Sequence, residues 1–273
     1  GDQVTLLLGR NGGVAALGQA PGEGALLYGV ITKVENQSYD DGSNGTYTAR
    51  TVTVAATDGS AYRYQCSEKS LEEGNLVQVT VGDSDVQVKR LSKAALTGKV
   101  SADGAKLGSY ALADDVQIID TYESHTPVRI YPSRLAEVEL TGDMVRYYAL
   151  NSDGEISHLI LNDVTGDLYQ YGIITDVNEV NVSLPTGGFQ VSSSYTYDVG
   201  GQELVFASAS TIYNLKTGPC QIKMDSDTNV ERLYNLTERK LDRVSVSGNF
   251  AVGADKQQDA LSEQVVVYVY ENG

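Results

Sequence analysis

Apolar and polar side chains alternate along most of this chain, and Gly- or Pro-containing turns interrupt the alternation. Thr51, Thr53 and Thr57 interleave with Val52, Val54 and Ala56, and Leu27–Val34 reads as a further strand. A period of two is the signature of a strand with one buried face. Asn11-Gly12, Asp58-Gly59, Asp103-Gly104 and Asp153-Gly154 supply the positive-φ residues that hairpin turns need. The pattern predicts an opening hairpin, Val4–Leu8 with Val14–Leu17. Residues 26–92 follow as β-β-β-(short helix)-β-β: Leu27–Val34, Thr46–Thr57, Ala61–Cys66, one helical turn at Ser67–Glu73, then Leu76–Val81 and Val86–Leu91. Residues 95–164 are expected to keep that outline. Their strands are Leu96–Val100, Tyr110–Leu112, Val116–Thr121, Met144–Leu150 and Ile156–Leu161, with Leu135–Leu140 a short helix or a further strand. From 168 onward we expect strands at Tyr171–Leu184, Phe189–Val199, Glu203–Ala207 and Gln264–Tyr270. Ile212–Met224 reads as irregular, Leu233–Leu241 as a short helix, and Val244–Val246 as the counterpart of Val77–Val79.

Two heptapeptides tie these segments together. Tyr28-Gly29-Val30-Ile31-Thr32-Lys33-Val34 returns as Tyr171-Gly172-Ile173-Ile174-Thr175-Asp176-Val177, at an offset of 143 residues (171 − 28). A Gly-x-x-Val corner recurs at Gly1, Gly74 and Gly142. Internal similarity at a fixed period marks stacked small units that bury their faces against one another. The expected fold is therefore all-β: tandem small OB-like or SH3-like β-barrel units with short helical turns. The expected division is 1–25 as the closing hairpin of a truncated unit plus linker, then barrel units at 26–93, 94–166 and an enlarged one at 167–273. Units of about 70 residues bury only about 60% of their unfolded surface, so neighbours should pack together.

Charge narrows the partners. A formal net charge of −16 disfavours nucleic acid, which requires clustered Lys and Arg, and it disfavours anionic membrane surfaces. No apolar run reaches the roughly 18 residues that span a bilayer. Cys66 and Cys220 are the only cysteines and form no metal spacing; each is expected as a buried thiol.

The openings YGVITKV and YGIITDV, the stretch VRYYALNSDGEISHLILND and the acidic, Tyr- and Thr-rich β composition resemble the non-anchoring repeat regions of cell-surface proteins with S-layer homology domains, from Gram-positive, often gut, bacteria. The likeness covers most of 26–270. It implies an extracellular, cell-surface location and a fragment without leader or anchor, and it implies no activity.

Candidate chemistry is sparse. His125 and His158 are the only histidines, both expected at the surface, and no GxSxG, HExxH, P-loop or dinucleotide motif is present. Asp40-Asp41, Glu72-Glu73 and Asp114-Asp115 are carboxylate pairs of the kind glycoside hydrolysis uses, but neighbours along a strand face opposite ways. Asp225, Asp227 and Asn229 match the first ligands of a calcium loop, whereas Val230 and Leu236 stand where Gly and Glu belong. Ca²⁺ is thus the one cofactor the sequence offers, and only weakly. Among eighteen tyrosines and no tryptophan, Tyr62, Tyr64, Tyr147, Tyr148, Tyr195 and Tyr197 are candidates to stack on a sugar. The sequence points first to a non-catalytic structural or spacer region of an exported, S-layer-like surface protein. Second comes a surface module that binds cell-wall or host glycan or another surface protein through these tyrosines and the loops at 39–45, 122–133 and 225–229. A hydrolase comes last.

Overall fold

β-Branched and aromatic residues alternating with polar ones give a chain that is nearly all β. The computed structural model describes residues 5–8, 14–18, 21–22, 24–40, 45–83, 85–123, 125–185, 187–224, 229–239, 243–248, 250–256, 258–262 and 265–269. Two compact units divide it, Gly1–Thr165 and Gly166–Gly273.

In the first unit, β1 (Thr5–Leu8) pairs antiparallel with β2 (Val14–Gly18); the turn predicted at Asn11-Gly12 lies outside the described residues. β3 (Leu26–Asp40), β4 (Thr46–Ala56), β5 (Ala61–Gln65), β6 (Leu76–Val81) and β7 (Val86–Arg90) form an antiparallel sheet in the order β5-β4-β3-β6-β7. Its inner face buries Ile31, Val52, Val54, Val77 and Val79 around Leu71, which comes from the β5–β6 connection. Tyr64 on one edge strand and Val86 and Val88 on the other pack on that same cluster, so the sheet curls around its own core. A bulge between Ile31 and Lys33 resets the alternation, turning Val34 inward and leaving Lys33 in solvent. No helix forms at Ser67–Glu73; the connection is a pair of turns, tied by Arg50 donating to Glu68 O and Leu71 O.

The next elements are β8 (Gly98–Lys99), β9 (Lys106–Leu107), β10 (Tyr110–Thr121), β11 (Val128–Ile130), a 3₁₀ turn (Pro132–Leu135), β12 (Glu139–Leu140), β13 (Val145–Leu150) and β14 (Ile156–Asn162). They do not keep the outline expected of them. The order is β11-β10-β14-β13, and β10 runs parallel to β14. The two short strands expected at 110–121 are one strand bent by a register shift between Leu112 and Gln117, and Leu135–Leu140 holds the end of the 3₁₀ turn and a two-residue strand. One face of this sheet buries Ile118, Leu159, Leu161 and Val145. Its other face offers Ile119 and Ile160 to Val30 and Leu76 of the first sheet, closing a seam within the unit.

The second unit holds β15 (Gln170–Ser183), β16 (Phe189–Val199), β17 (Gln202–Ser208), β18 (Gly218–Met224) and β19 (Val230–Asn235) in the order β17-β16-β15-β18-β19. That is the strand order of β5-β4-β3-β6-β7, with every pairing antiparallel in both. The correspondence reaches single pairs. Ile31 faces Val54 and Ile174 faces Tyr197, both shifted by 143 (174 − 31, 197 − 54); Leu27 faces Val79, and Gln170 faces Ile222. The bulge returns between Ile174 and Asp176, again turning a valine, Val177, onto the core, while Thr32 and Thr175 donate to the carbonyls of Thr53 and Thr196 at 3.4 and 3.3 Å. Two sequence expectations fall here. Ile212–Met224 contains strand β18, and Leu233 ends in strand β19 with no helix through 239, because Ile222 and Leu233 alternate into the core. The counterpart of Val77 in the second sheet is consequently Cys220 (220 − 77 = 143). Val244–Val246 instead belongs to a separate three-stranded sheet, β20 (Val244–Ser247), β21 (Phe250–Gly253) and β22 (Gln258–Ala260). Residues 265–269 of the expected last strand join no ladder among the described residues.

Candidate functional site

The densest polar chemistry of the first unit sits in its seam. Thr57, at the end of β4, is 1% exposed, and its N–H donates to Tyr28 O at 2.8 Å. Its hydroxyl donates to Gln117 Oε1 (3.1 Å), and the single proton being committed there, His158 donates from Nδ1–H to Thr57 Oγ1 (2.9 Å). Tyr28 lies 4.6 Å from the His158 ring and stacks at 5.7 Å on Tyr147. Arg129 donates across the seam to Thr57 O (2.6 Å) and back to Val116 O (3.1 Å), and Arg146 donates to Gly74 O (2.6 Å) and Thr121 Oγ1 (2.9 Å). A hydroxyl and an imidazole at this distance are the parts of an activated nucleophile. Here the hydroxyl is buried and gives its proton to an amide, so the arrangement fastens one sheet to the other.

Burial, helped by the Arg129 charge and opposed by Asp115 and Asp58, holds the His158 imidazole below its ordinary 6.5. The unfolded chain therefore takes the proton first as pH falls. The stability due to neutral His158 is complete above about pH 7 and lost as pH drops through about 6.5. We expect the melting temperature of the first unit to fall between about pH 7 and 5, and the His158→Gln chain to lose most of that step in a calorimetric pH series.

The six tyrosines do not converge. Tyr62 and Tyr64 share one face of β5 with rings 6.3 Å apart; Tyr147 and Tyr148 face opposite ways, onto Tyr28 and Tyr110; Tyr195 and Tyr197 are 0% and 2% exposed and belong to the core of the second sheet. Burial pushes the hydroxyls of Tyr62 and Tyr64 up to about 12. Tyr62 donates to Asp58 Oδ2 at 2.7 Å, whereas the Tyr64 hydroxyl is buried without a hydrogen bond. At the matching place in the second sheet, opposite Tyr195 as Tyr64 is opposite Val52, stands Phe206. Tyr64→Phe should thus raise stability by about 1 kcal/mol, read as a higher urea midpoint at unchanged slope.

Neither histidine is the surface imidazole expected. His125 is 4% exposed, with Nδ1 3.1 Å from Tyr122 O. Alternation with Ile160 along β14 is the signal that places His158 in the seam. Glu72, Glu73, Asp114 and Asp115 are exposed, while the side chains of Asp40 and Asp41 lie outside the described residues. So do Asp225 and Asp227; Asn229 is exposed just before β19. No group of three or more His, Cys, Asp or Glu fit to hold a metal occurs among the described residues. Cys66 and Cys220 are free thiols, the first half-buried and the second buried. A groove of about 500 Å³ on the second unit is lined by Asn178, Ser192, Ser193, Ser194 and Ser208 together with the apolar Val180, Ala207 and Ala209.

These features define an all-β protein of small, mostly antiparallel sheets. Comparison with protein-family models, with curated proteins and with solved structures gives no match to the chain.

Proposed function

We propose that the chain is a non-catalytic structural, spacer-like region of an exported bacterial cell-surface protein. The observation that carries this reading is the same five-strand sheet built twice, in one strand order and with its three central strands paired at one offset of 143, with polar chemistry in the first unit spent on joining sheet to sheet. A scaffold extends by reusing a foldable unit, and the −16 charge suits a solvated surface coat. Labelling intact, unpermeabilised cells with antibody against the chain tests it. Surface signal supports the reading, and signal only after lysis overturns it.

The serine-lined groove supports a second reading, a glycan-binding module. Its volume falls in the range of small-ligand clefts, and it sets serine hydroxyls and the Asn178 amide beside the apolar Val180, Ala207 and Ala209, although the Ser193 hydroxyl is already given to Thr211 O at 2.6 Å. Binding on a glycan array that Ser208→Trp abolishes would favour this module over the spacer.

A further inference from the structure

The outer face of the first sheet is buried, whereas its counterpart on the second is largely exposed among the described residues, with the Tyr268 hydroxyl accepting from Gly200 N at 2.7 Å. Tyr28, Val30 and Leu76 are 9%, 3% and 8% exposed beneath Ile119 and Ile160 of the β10–β14 sheet. At the same places the second sheet carries Tyr171, Ile173 and Pro219 (171 − 28, 173 − 30 and 219 − 76, each 143). Leu91 and Leu236 also correspond, since their N–H groups donate to Leu76 O at 2.8 Å and to Pro219 O at 3.0 Å. Yet Tyr171 is 44% and Leu236 38% exposed, Pro219 is exposed and Ile173 half-buried. The same backbone with the same apolar stripe is a seam in one unit and open surface in the other.

We infer that this face of the second sheet, Ile173, Pro219 and Leu236 with Tyr171, docks the β10–β14 sheet (residues 94–165) of a second copy of the chain. Three observations select that occupant. It is the element that covers the matching face within the first unit. Its apolar contacts, Ile119 and Ile160, ask only for an aliphatic stripe. Its Arg146 grips a main-chain carbonyl, Gly74 O, just before β6, and Thr217 stands at the same offset just before β18, so this contact does not depend on the side chains. Docking requires that sheet to leave its own seam, an exchange between copies. The donor and acceptor surfaces differ, so the contact is head-to-tail and lengthens into chains. The inference needs neither an extracellular location nor a spacer role.

Opening the seam tests it. Val30→Asp buries a charge between Ile119 and Ile160, and Tyr147→Ala removes the ring stacked on Tyr28 without adding charge. In sedimentation velocity of the full chain, at salt high enough to screen its charge, each variant should associate at concentrations at least about tenfold lower than the parent. Leu236→Asp, on an exposed side chain, should return both to monomers. Should Val30→Asp unfold, Tyr147→Ala decides. An opened chain that stays monomeric overturns the inference, as does association that Leu236→Asp leaves unchanged; antibody labelling of cells would be unaffected by either result.

Discussion

Gly29→Ala should destabilise the first unit by about 3 kcal/mol, and Gly172→Ala should do the same to the second. A Cβ on Gly29 would lie 2.3 Å from Ala55 O and 2.9 Å from Ala55 C; on Gly172 it would lie 2.4 Å from Asp198 O. The obstacle is the backbone of the paired strand, which cannot move without breaking the ladder on either side. Both glycines stand just before the bulge, where the central strand crosses closest to its hairpin partner. For the first unit the cost corresponds to a fall of roughly 6–12 °C in melting temperature. Calorimetry should show Gly29→Ala lowering only the transition of the first unit and Gly172→Ala only that of the second. Equal and harmless substitution at both would mean that the strands are not this close.

Asp120→Ala should cost the first unit about 3 kcal/mol. Its carboxylate, 0% exposed, accepts N–H from Thr121 (3.0 Å), Val164 (3.0 Å) and Thr165 (2.7 Å) and the Thr165 hydroxyl (2.8 Å). Alanine deprives all four donors of their acceptor at a partly buried site. Arg134 meanwhile donates to Thr165 O at 2.7 Å, so Asp120 and Arg134 together hold the end of the unit. Burial pushes the Asp120 carboxyl above the ordinary carboxylate range, and the N–H bonds pull it part of the way back. With the folded-state pKa raised, the folded chain takes the proton first in acid. Its stability from this residue is therefore smallest above the folded pKa and grows as pH falls through it. Asp120→Asn keeps one acceptor oxygen but turns an NH₂ toward the donors, and should cost roughly half as much as alanine. Urea unfolding of the three chains at one pH checks the order.

Period-two alternation and the two YG-x-I-T heptapeptides made most of the fold legible. They place β3 and β15 at the centre of matching sheets, and even the bulge has a sequence mark, the threonine between Ile31 and Lys33 that recurs between Ile174 and Asp176. The middle sheet was not legible. A parallel β10–β14 pair joins residues 41 apart (162 − 121), and no local pattern records which distant strand a segment will choose. The expected helical turns failed because burial of Leu71 and Leu233 by tertiary contacts overrode local propensity. The seam was half visible. His158 alternates with Ile160, but nothing in the sequence of Thr57, Gln117 or Arg129 says that they meet it.

Cross-strand NOEs on the full, isotopically labelled chain test the shared design of the two sheets most directly. Contacts are expected between Ile31 and Val54 and between Ile174 and Tyr197, with Val77 and Cys220 each opposite the glycine two residues before that isoleucine in the central strand. A slip of one residue in either sheet, or Cys220 paired elsewhere, would contradict that design, since such a slip turns every core side chain of that strand toward solvent.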